Sequence, residues 1–252
     1  PRSMAINPNP ELRVIQIGWV QEPASAFFSA LIVFVWLYML PRLGQVTRPT
    51  HCSACSRAWV VRWTFYVWIW AYFWSTVFHI HENKFTEAMD YYGANYSWSF
   101  MLYAALVMAF NLRRAPDLAM LAVPLFSWSA YYTYTMTFEL FDYGWHVKVV
   151  GVEVGTHFVV WLVWSISVRW RSYCWWFLAS NLTLVLCLPL EIGKDFAPIF
   201  GHFDGHSLWH CGGALISYFW ARFLIADAEF HAAKASADGT PMQVPASKDH
   251  YV

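Results

Sequence analysis

Long apolar segments alternate with short polar ones along most of the chain. Each segment is close to the roughly 20 residues that a helix needs to cross a bilayer, and Trp and Tyr crowd the segment ends, as at a lipid–water interface. The pattern predicts an all-α bundle of seven transmembrane helices in residues 22–225, between a short lead of residues 1–21 and a polar tail of residues 226–252. The predicted spans lie near residues 22–40, 59–79, 94–112, 117–137, 146–168, 173–190 and 206–225.

The composition agrees with insertion in a membrane. Hydrophobic residues make up 58% of the chain and charged residues 13%, against roughly 25% charged residues in soluble domains. The formal net charge is zero and no basic stripe is present, so the sequence gives no case for nucleic-acid binding. We therefore expect an integral membrane protein in contact with membrane lipids.

The basic residues are unevenly divided between the two sets of loops. Eleven of the sixteen Lys and Arg residues fall in the tail and in the loops after spans one, three and five. Because cytoplasmic loops carry the excess of positive charge, these regions are predicted to be cytosolic. The N-terminus is then lumenal or extracellular and the C-terminus cytosolic, as an odd number of spans requires.

Polar residues gather at two places that this topology brings to one membrane face. Ser75 and His79 lie at the end of span two, and Asp90 follows in the loop after it. His206 and His210 lie at the start of span seven. Imidazoles and carboxylates near lipid are rare unless they serve a function, so we expect the five side chains to meet.

The residue types point to a catalytic metal. Residues four apart share one helix face, and three histidines with an open position form the ligand set of catalytic zinc. His79, His206 and His210 are therefore predicted to hold Zn²⁺ with a water, which zinc activates for attack on an ester or amide. Asp90 is the predicted general base, and Ser75 the predicted donor to the developing oxyanion.

Three neighbouring polar residues have alternative interpretations. Asp204 precedes His206 by two residues and is a candidate acceptor that orients a ligand imidazole from the second layer of the site. His81 and His202 flank the two clusters and could replace a ligand, although a place in the loops is favoured for both.

The other acidic, histidine and cysteine residues are interpreted as structural or solvated rather than as part of the site. Glu153 and His157 form another pair four residues apart, for which a structural hydrogen bond or a water-lined groove is favoured. Glu191 and Asp195 border the sixth loop and are expected to be solvated. The pair Cys52 and Cys55, beside His51, has no second pair to complete four zinc ligands, and the odd total of five cysteines does not indicate a disulfide framework.

Several strings resemble the post-GPI attachment to proteins factor 3 family, in family order from about residue 20 to 225. The two strings around the polar clusters are Phe73 to His79 with Thr86 to Tyr91, and Asp204 to His210. The other matching strings are Gln21 to Ala26, Phe141 to Gly144 and Asp195 to Phe200.

The resemblance implies a function for the predicted site. The family is placed with alkaline ceramidase-like seven-span hydrolases, in which Ser75, His79, Asp90, His206 and His210 match the positions of the zinc site. Its members act as phospholipase A2 enzymes on GPI lipids or GPI-anchored proteins, removing the sn-2 acyl chain at the lumenal leaflet of the endoplasmic reticulum or Golgi. Two alternatives stay open at this point: a ceramidase-like amidase, and a non-enzymatic seven-span receptor or scaffold with a structural metal.

Overall fold

The computed structural model describes residues 10–46, 55–193 and 196–237, and within them the protein is all-helical. A single 3₁₀ turn, Pro10–Leu12, precedes the first long helix, and a π-helical turn, Thr135–Glu139, continues the fourth. The seven α-helices are α1 (Pro23–Val46), α2 (Cys55–Ile80), α3 (Lys84–Ala109), α4 (Ala115–Tyr134), α5 (Tyr143–Ser167), α6 (Cys174–Ile192) and α7 (Gly205–Ala237).

The all-α prediction is confirmed for the described residues, and each predicted span overlaps one helix. Among these helices α1, α5 and α6 are long and apolar enough to cross a membrane by length and composition. The other four are 20 to 33 residues long. Three of those four carry the polar residues at which the sequence places the site, which lowers their mean hydropathy.

One large departure from the predicted spans is the start of α3. The helix begins at Lys84, ten residues earlier than expected, because Asn83 caps it and shares a capping box with Thr86. Asp90 therefore lies inside α3, and its predicted place in a loop is wrong. The Asn83 cap was the sequence signal for this boundary, and it fixes the direction from which Asp90 reaches the site.

The helices pack in a nearly closed ring. In order around it, α6 packs on α7, α7 on α1, α1 on α2, α2 on α3 and α3 on α5, while α4 lies outside against α3. Trp36 of α1 meets Phe65 of α2 edge to face with ring centroids 4.7 Å apart. Trp161 of α5 meets Phe223 of α7 at 4.9 Å. These aromatic side chains fill the half of the ring that lies away from the histidines.

A buried ion pair closes the end of the bundle opposite the histidines. Arg57 of α2 contacts the fully buried carboxylate of Asp227 on α7, and Arg57 also donates to the carbonyl of Met108 at 2.7 Å. The Tyr173 hydroxyl donates to the same carboxylate at 2.7 Å. A buried charge needs such partners, and here they join α2, α3, α7 and the start of α6.

The segment before α1 lies over the histidine end of the bundle. Its backbone pairs with the loop before α7, where Ile15 N–H donates to the Gly201 carbonyl at 2.6 Å. It also pairs with the end of α2, where Glu22 N–H donates to the His79 carbonyl at 3.0 Å. These bonds hold the Glu22 side chain against the His79 ring.

Candidate metal centre

Three imidazoles from two helices converge in the bundle. His79 of α2 and His206 and His210 of α7 each point an Nε2 atom at the same small region, and together they form a group that can hold a metal ion. His210 Nε2 lies 3.2 Å from His79 Nε2 and 3.1 Å from His206 Nε2. The four-residue spacing of His206 and His210 on α7 stacks their rings on one face, and that face is turned towards α2.

The second nitrogen of each ring is held by an oxygen. Nδ1 of His79 donates to Glu22 at 2.7 Å, and Nδ1 of His206 donates to Glu191 at 2.8 Å. Nδ1 of His210 lies 3.2 Å from the Ser29 hydroxyl. Metal-ligating histidines have such outer partners, which fix the ring and leave the other nitrogen free to coordinate.

The proton count favours a cation among the three rings. An ionised carboxylate only accepts hydrogen bonds, so His79 and His206 carry their hydrogen on Nδ1 and, when neutral, present a lone pair at Nε2. His210 can place one hydrogen between itself and one neighbour only. At least one of the two contacts then brings two lone pairs together, an arrangement that a shared metal ion would make favourable.

Two of the three separations between the nitrogens fit a tetrahedral ion. Zinc binds imidazole nitrogen at about 2.0–2.1 Å, which separates two ligands of a tetrahedral site by about 3.3 Å. The two observed Nε2 separations, 3.1 and 3.2 Å, are close to that value. Asp90 and Ser75 lie beside this group.

The Asp90 carboxylate lies beside Ser75 and within electrostatic reach of His79 and His206. The Ser75 hydroxyl lies 3.3 Å from that of Ser29. The structure thus brings together all five residues that the sequence singled out, with Asp90 arriving from α3.

Local sequence explains why α7 begins where it does. Asp204 accepts a hydrogen bond from Ser207 N–H at 2.7 Å, and the Ser207 hydroxyl lies 3.0 Å from the backbone nitrogen of Asp204. This reciprocal cap places His206 in the first turn of the helix. The hydrogen bonds of Asp204 thus go to Ser207, and its predicted role as the acceptor of a ligand imidazole stays a prediction.

Glu22, Glu191 and Ser29 are the site residues that sequence reasoning missed. Glu191 was expected to be solvated, but its side chain is 15% exposed and bonded to His206. Glu22 and Ser29 are buried. A signal was available for all three. The predicted topology already placed each of these carboxylates and the hydroxyl at the same membrane face as the histidines.

The remaining polar candidates lie elsewhere. His81 is exposed at the end of α2, and His202 bonds through Nδ1 to the Ile15 carbonyl at 3.0 Å. Glu153 accepts from Ser99 at 2.6 Å, in line with the favoured structural hydrogen bond. His157 accepts from the Trp161 indole at 3.1 Å.

The cysteine predictions are tested in part. Cys174, Cys187 and Cys211 are free thiols, as expected of residues in apolar segments. His51, Cys52 and the acidic candidate Asp195 lie outside the described residues.

A comparison with models of protein families shows to which family the chain belongs. The model of the Per1-like family matches residues 13–228, which include α1 to α6 and most of α7. The chain belongs to the Per1-like family. The recognition from sequence strings is thereby confirmed.

Curated relatives of this Per1-like chain are similar at a moderate level. It is 31% identical over 209 residues to the GPI-specific phospholipase A2-like PGAP3 of Danio rerio, covering 82% of this chain and 64% of that protein. It is 28% identical over 233 residues to the Protein PER1 homolog of Schizosaccharomyces pombe, covering 88% and 67%. The Homo sapiens GPI-specific phospholipase A2-like PGAP3 is 30% identical over 221 residues, covering 82% and 63%.

The Per1-like chain spans a little under two thirds of the length of the zebrafish and human relatives. No solved structure matches it.

Proposed function

We propose that this Per1-like protein is a zinc-dependent acyl hydrolase that removes the sn-2 fatty acid from GPI lipids. The observation that carries the proposal is the convergence of three Nε2 atoms whose rings are held by Glu22, Glu191 and Ser29, beside Asp90 and Ser75. The names of the zebrafish and human relatives, GPI-specific phospholipase A2-like, support the lipid class.

The group that the three histidines would hold is a zinc ion, which when bound supplies a polarised water and a Lewis acid for the ester carbonyl. Asp90 lies close enough to this group to accept the proton of the attacking water. It later returns that proton to the glycerol oxygen as the carbon–oxygen ester bond breaks. The products are a free fatty acid and a lyso-lipid, so one water is consumed for each ester cleaved.

Ser75 lies beside Asp90, and this gives Ser75 a timed role in the proposed reaction. Before reaction we expect the Ser75 hydroxyl to donate to the ionised Asp90. Once Asp90 is protonated it becomes a donor itself, and the Ser75 hydrogen is released to stabilise the developing oxyanion. Ser29 and Glu22 hold the histidine rings and need not touch the substrate.

The proposed membrane arrangement follows from the charge pattern. All seven helices cross the bilayer, the histidine end faces the lumen, and the tail of residues 226–252 lies in the cytosol. Eleven of sixteen basic residues belong to the opposite side, in agreement with the positive-inside rule. A lumenal site in the endoplasmic reticulum or Golgi is where a GPI lipid would meet this chemistry.

The purified protein is expected to release fatty acid from a GPI lipid in mixed micelles, with zinc present, faster than from ceramide. The physical reason is the ester carbonyl, which is more readily attacked than an amide. Fatty-acid release from the two lipids, compared at equal concentration by mass spectrometry, checks this. Ceramide turnover without GPI turnover would indicate an amidase, and no turnover of either would favour a receptor or scaffold.

Replacement of Glu191 by glutamine is expected to weaken zinc binding about 10–100-fold, the usual effect of losing an outer partner of a ligand histidine. Glutamine removes the negative charge that holds His206 Nδ1–H. Competition with a chelator measures the affinity. Glu229→Gln is the matched control, because Glu229 pairs with Arg42 at the opposite end of the bundle; equal affinities in the two variants would contradict the role of Glu191.

A further inference from the structure

The ring of helices has one seam that does not close along its length. Consecutive members of the ring pack along their axes, but α5 and α6 have few close backbone approaches among the described residues. Side chains join them at two places. At depth, Phe158 of α5 stacks on Phe177 of α6 with centroids 5.9 Å apart, and at the histidine end Tyr143 of α5 bonds to Glu191 of α6. Between these two contacts the backbones of the two helices stay apart.

The two walls of this seam are mostly apolar. On α5, Gly151 and Gly155 lie on the face that carries Phe158, as their spacing of four and three residues requires. Both glycines are exposed, and a Cβ added to either would meet nothing within 4 Å. On α6, Leu184 and Leu188 continue the face that carries Phe177; Leu188 is 40% exposed.

The seam leads to the histidine cluster. At its mouth the Tyr143 hydroxyl of α5 donates to the Glu191 carboxylate of α6, and Glu191 in turn holds His206. The exposure of the side chains also rises across the cluster, from the α2 side towards the α6 side. His79 is buried at 2% exposure, whereas the His206 side chain keeps 20% and Glu191 keeps 15%. The site is therefore more accessible on the side of α6 than on the side of α1 and α2.

The length of the seam matches a lipid chain in one leaflet. From Gly144 to Phe158 the helix rises about 21 Å, somewhat more than half of the roughly 30 Å hydrocarbon core. Apart from Lys148, which lies on the same face of α5 one turn from Gly144, the walls carry apolar side chains or none, so they suit an acyl chain rather than a polar headgroup. The polar end of such a lipid would lie beside Glu191 and the histidines.

We propose that the seam between α5 and α6 is the lateral path along which an acyl chain of the lipid substrate enters from the bilayer and lies with its ester at the histidine cluster. This inference rests on the proposed lipid hydrolase function. The seam then selects for chains that fit between Gly151, Gly155 and the leucines of α6, and the Phe158 and Phe177 pair forms its floor.

The test is photolabelling of the protein in nanodiscs by a phospholipid with a diazirine halfway along its sn-2 chain. In the wild type, label is expected on Leu184, Leu188 and Phe158. Gly155→Phe fills the seam, and labelling of these residues should fall about tenfold, a typical effect of a steric mismatch in an apolar pocket. Val152→Phe adds the same ring at a lipid-facing position that is 70% exposed, and it should leave the seam label unchanged.

Leu188→Trp narrows the seam from the other wall and gives a second reading if Gly155→Phe does not fold. Seam labelling that is equal in wild type, Gly155→Phe and Leu188→Trp would overturn the proposal. So would label concentrated on Trp70 and Tyr96, which line an apolar cleft of about 290 Å³ between α2, α3 and α4.

Activity separates this proposal from the one on which it rests. In Gly155→Phe, hydrolysis of a bilayer lipid should fall about tenfold, while a short-chain soluble ester, which needs no lateral path, should be cleaved at the wild-type rate. A wild type that hydrolyses neither but shows the expected seam label would refute the hydrolase function and leave the lipid path standing.

Discussion

Replacement of His210 by alanine is expected to abolish metal binding and hydrolysis together. His210 is the centre of the group, since its Nε2 lies within 3.2 Å of both other Nε2 atoms. Its loss leaves two ligands, and zinc affinity should fall by more than the roughly 100-fold upper effect of an outer partner. Metal content after gel filtration, together with chelator competition, measures the change.

The matched control is His81→Ala, because His81 is an exposed histidine near the same end of α2 and is not part of the group. It should keep wild-type metal content and turnover. If His210→Ala kept its zinc while His81→Ala lost it, the assignment of ligands would be wrong.

Replacement of Asp90 by asparagine is expected to separate metal binding from catalysis. The amide keeps the shape of the side chain but cannot accept the proton of the attacking water. kcat should therefore fall about 10²–10⁴-fold, the contribution usual for a general base, with zinc content unchanged. Initial rates on a GPI lipid and metal analysis of the same sample provide the measurement.

Asp117→Asn serves as the control, since Asp117 is a partly exposed carboxylate near Arg114 at the other end of the bundle. If the metal is only structural and the protein catalyses no hydrolysis, the two variants should show no difference in turnover. An Asp90→Asn variant with kcat close to that of the wild type would remove Asp90 from the mechanism.

The helices were predictable from sequence because apolar segments of membrane length leave few alternatives. Spans and helices agree to within three residues at both ends of α5 and α6. They differ at α3, because a cap by Asn83 outweighs the polar residues that follow it. They differ again at α7, which continues to Ala237, twelve residues past the expected end of the span.

The candidate site was predictable in part, for a related reason. Ser75, His79, His206 and His210 come in pairs four residues apart, and such spacing fixes their common faces without tertiary information. Glu22 and Glu191 carry no such local signal. Their positions depend on how the lead segment folds over α2 and how α6 packs against α7, and those contacts are long-range.

The same dependence on long-range contacts explains why a similar pair of polar residues on α5 forms no such group. Glu153 and His157 are also four apart and buried, yet they bond to Ser99 and Trp161 rather than to a shared partner. A pair of polar residues on one helix face can hold a metal only when a facing helix supplies a third candidate ligand. Here His79 does so for α7, and no histidine does so for α5 among the described residues.

The length of α7 has a practical consequence for structure determination. Its 33 residues measure about 50 Å, well beyond the roughly 30 Å hydrocarbon core, so in the proposed membrane arrangement its final turns extend past the bilayer. The Arg42–Glu229 pair at 3.0 Å and the buried Asp227 tie this extension to α1 and α2. A soluble domain fused in helical register after Ala237 would be carried rigidly, which gives a 29.3 kDa membrane protein a marker for particle alignment in electron cryomicroscopy.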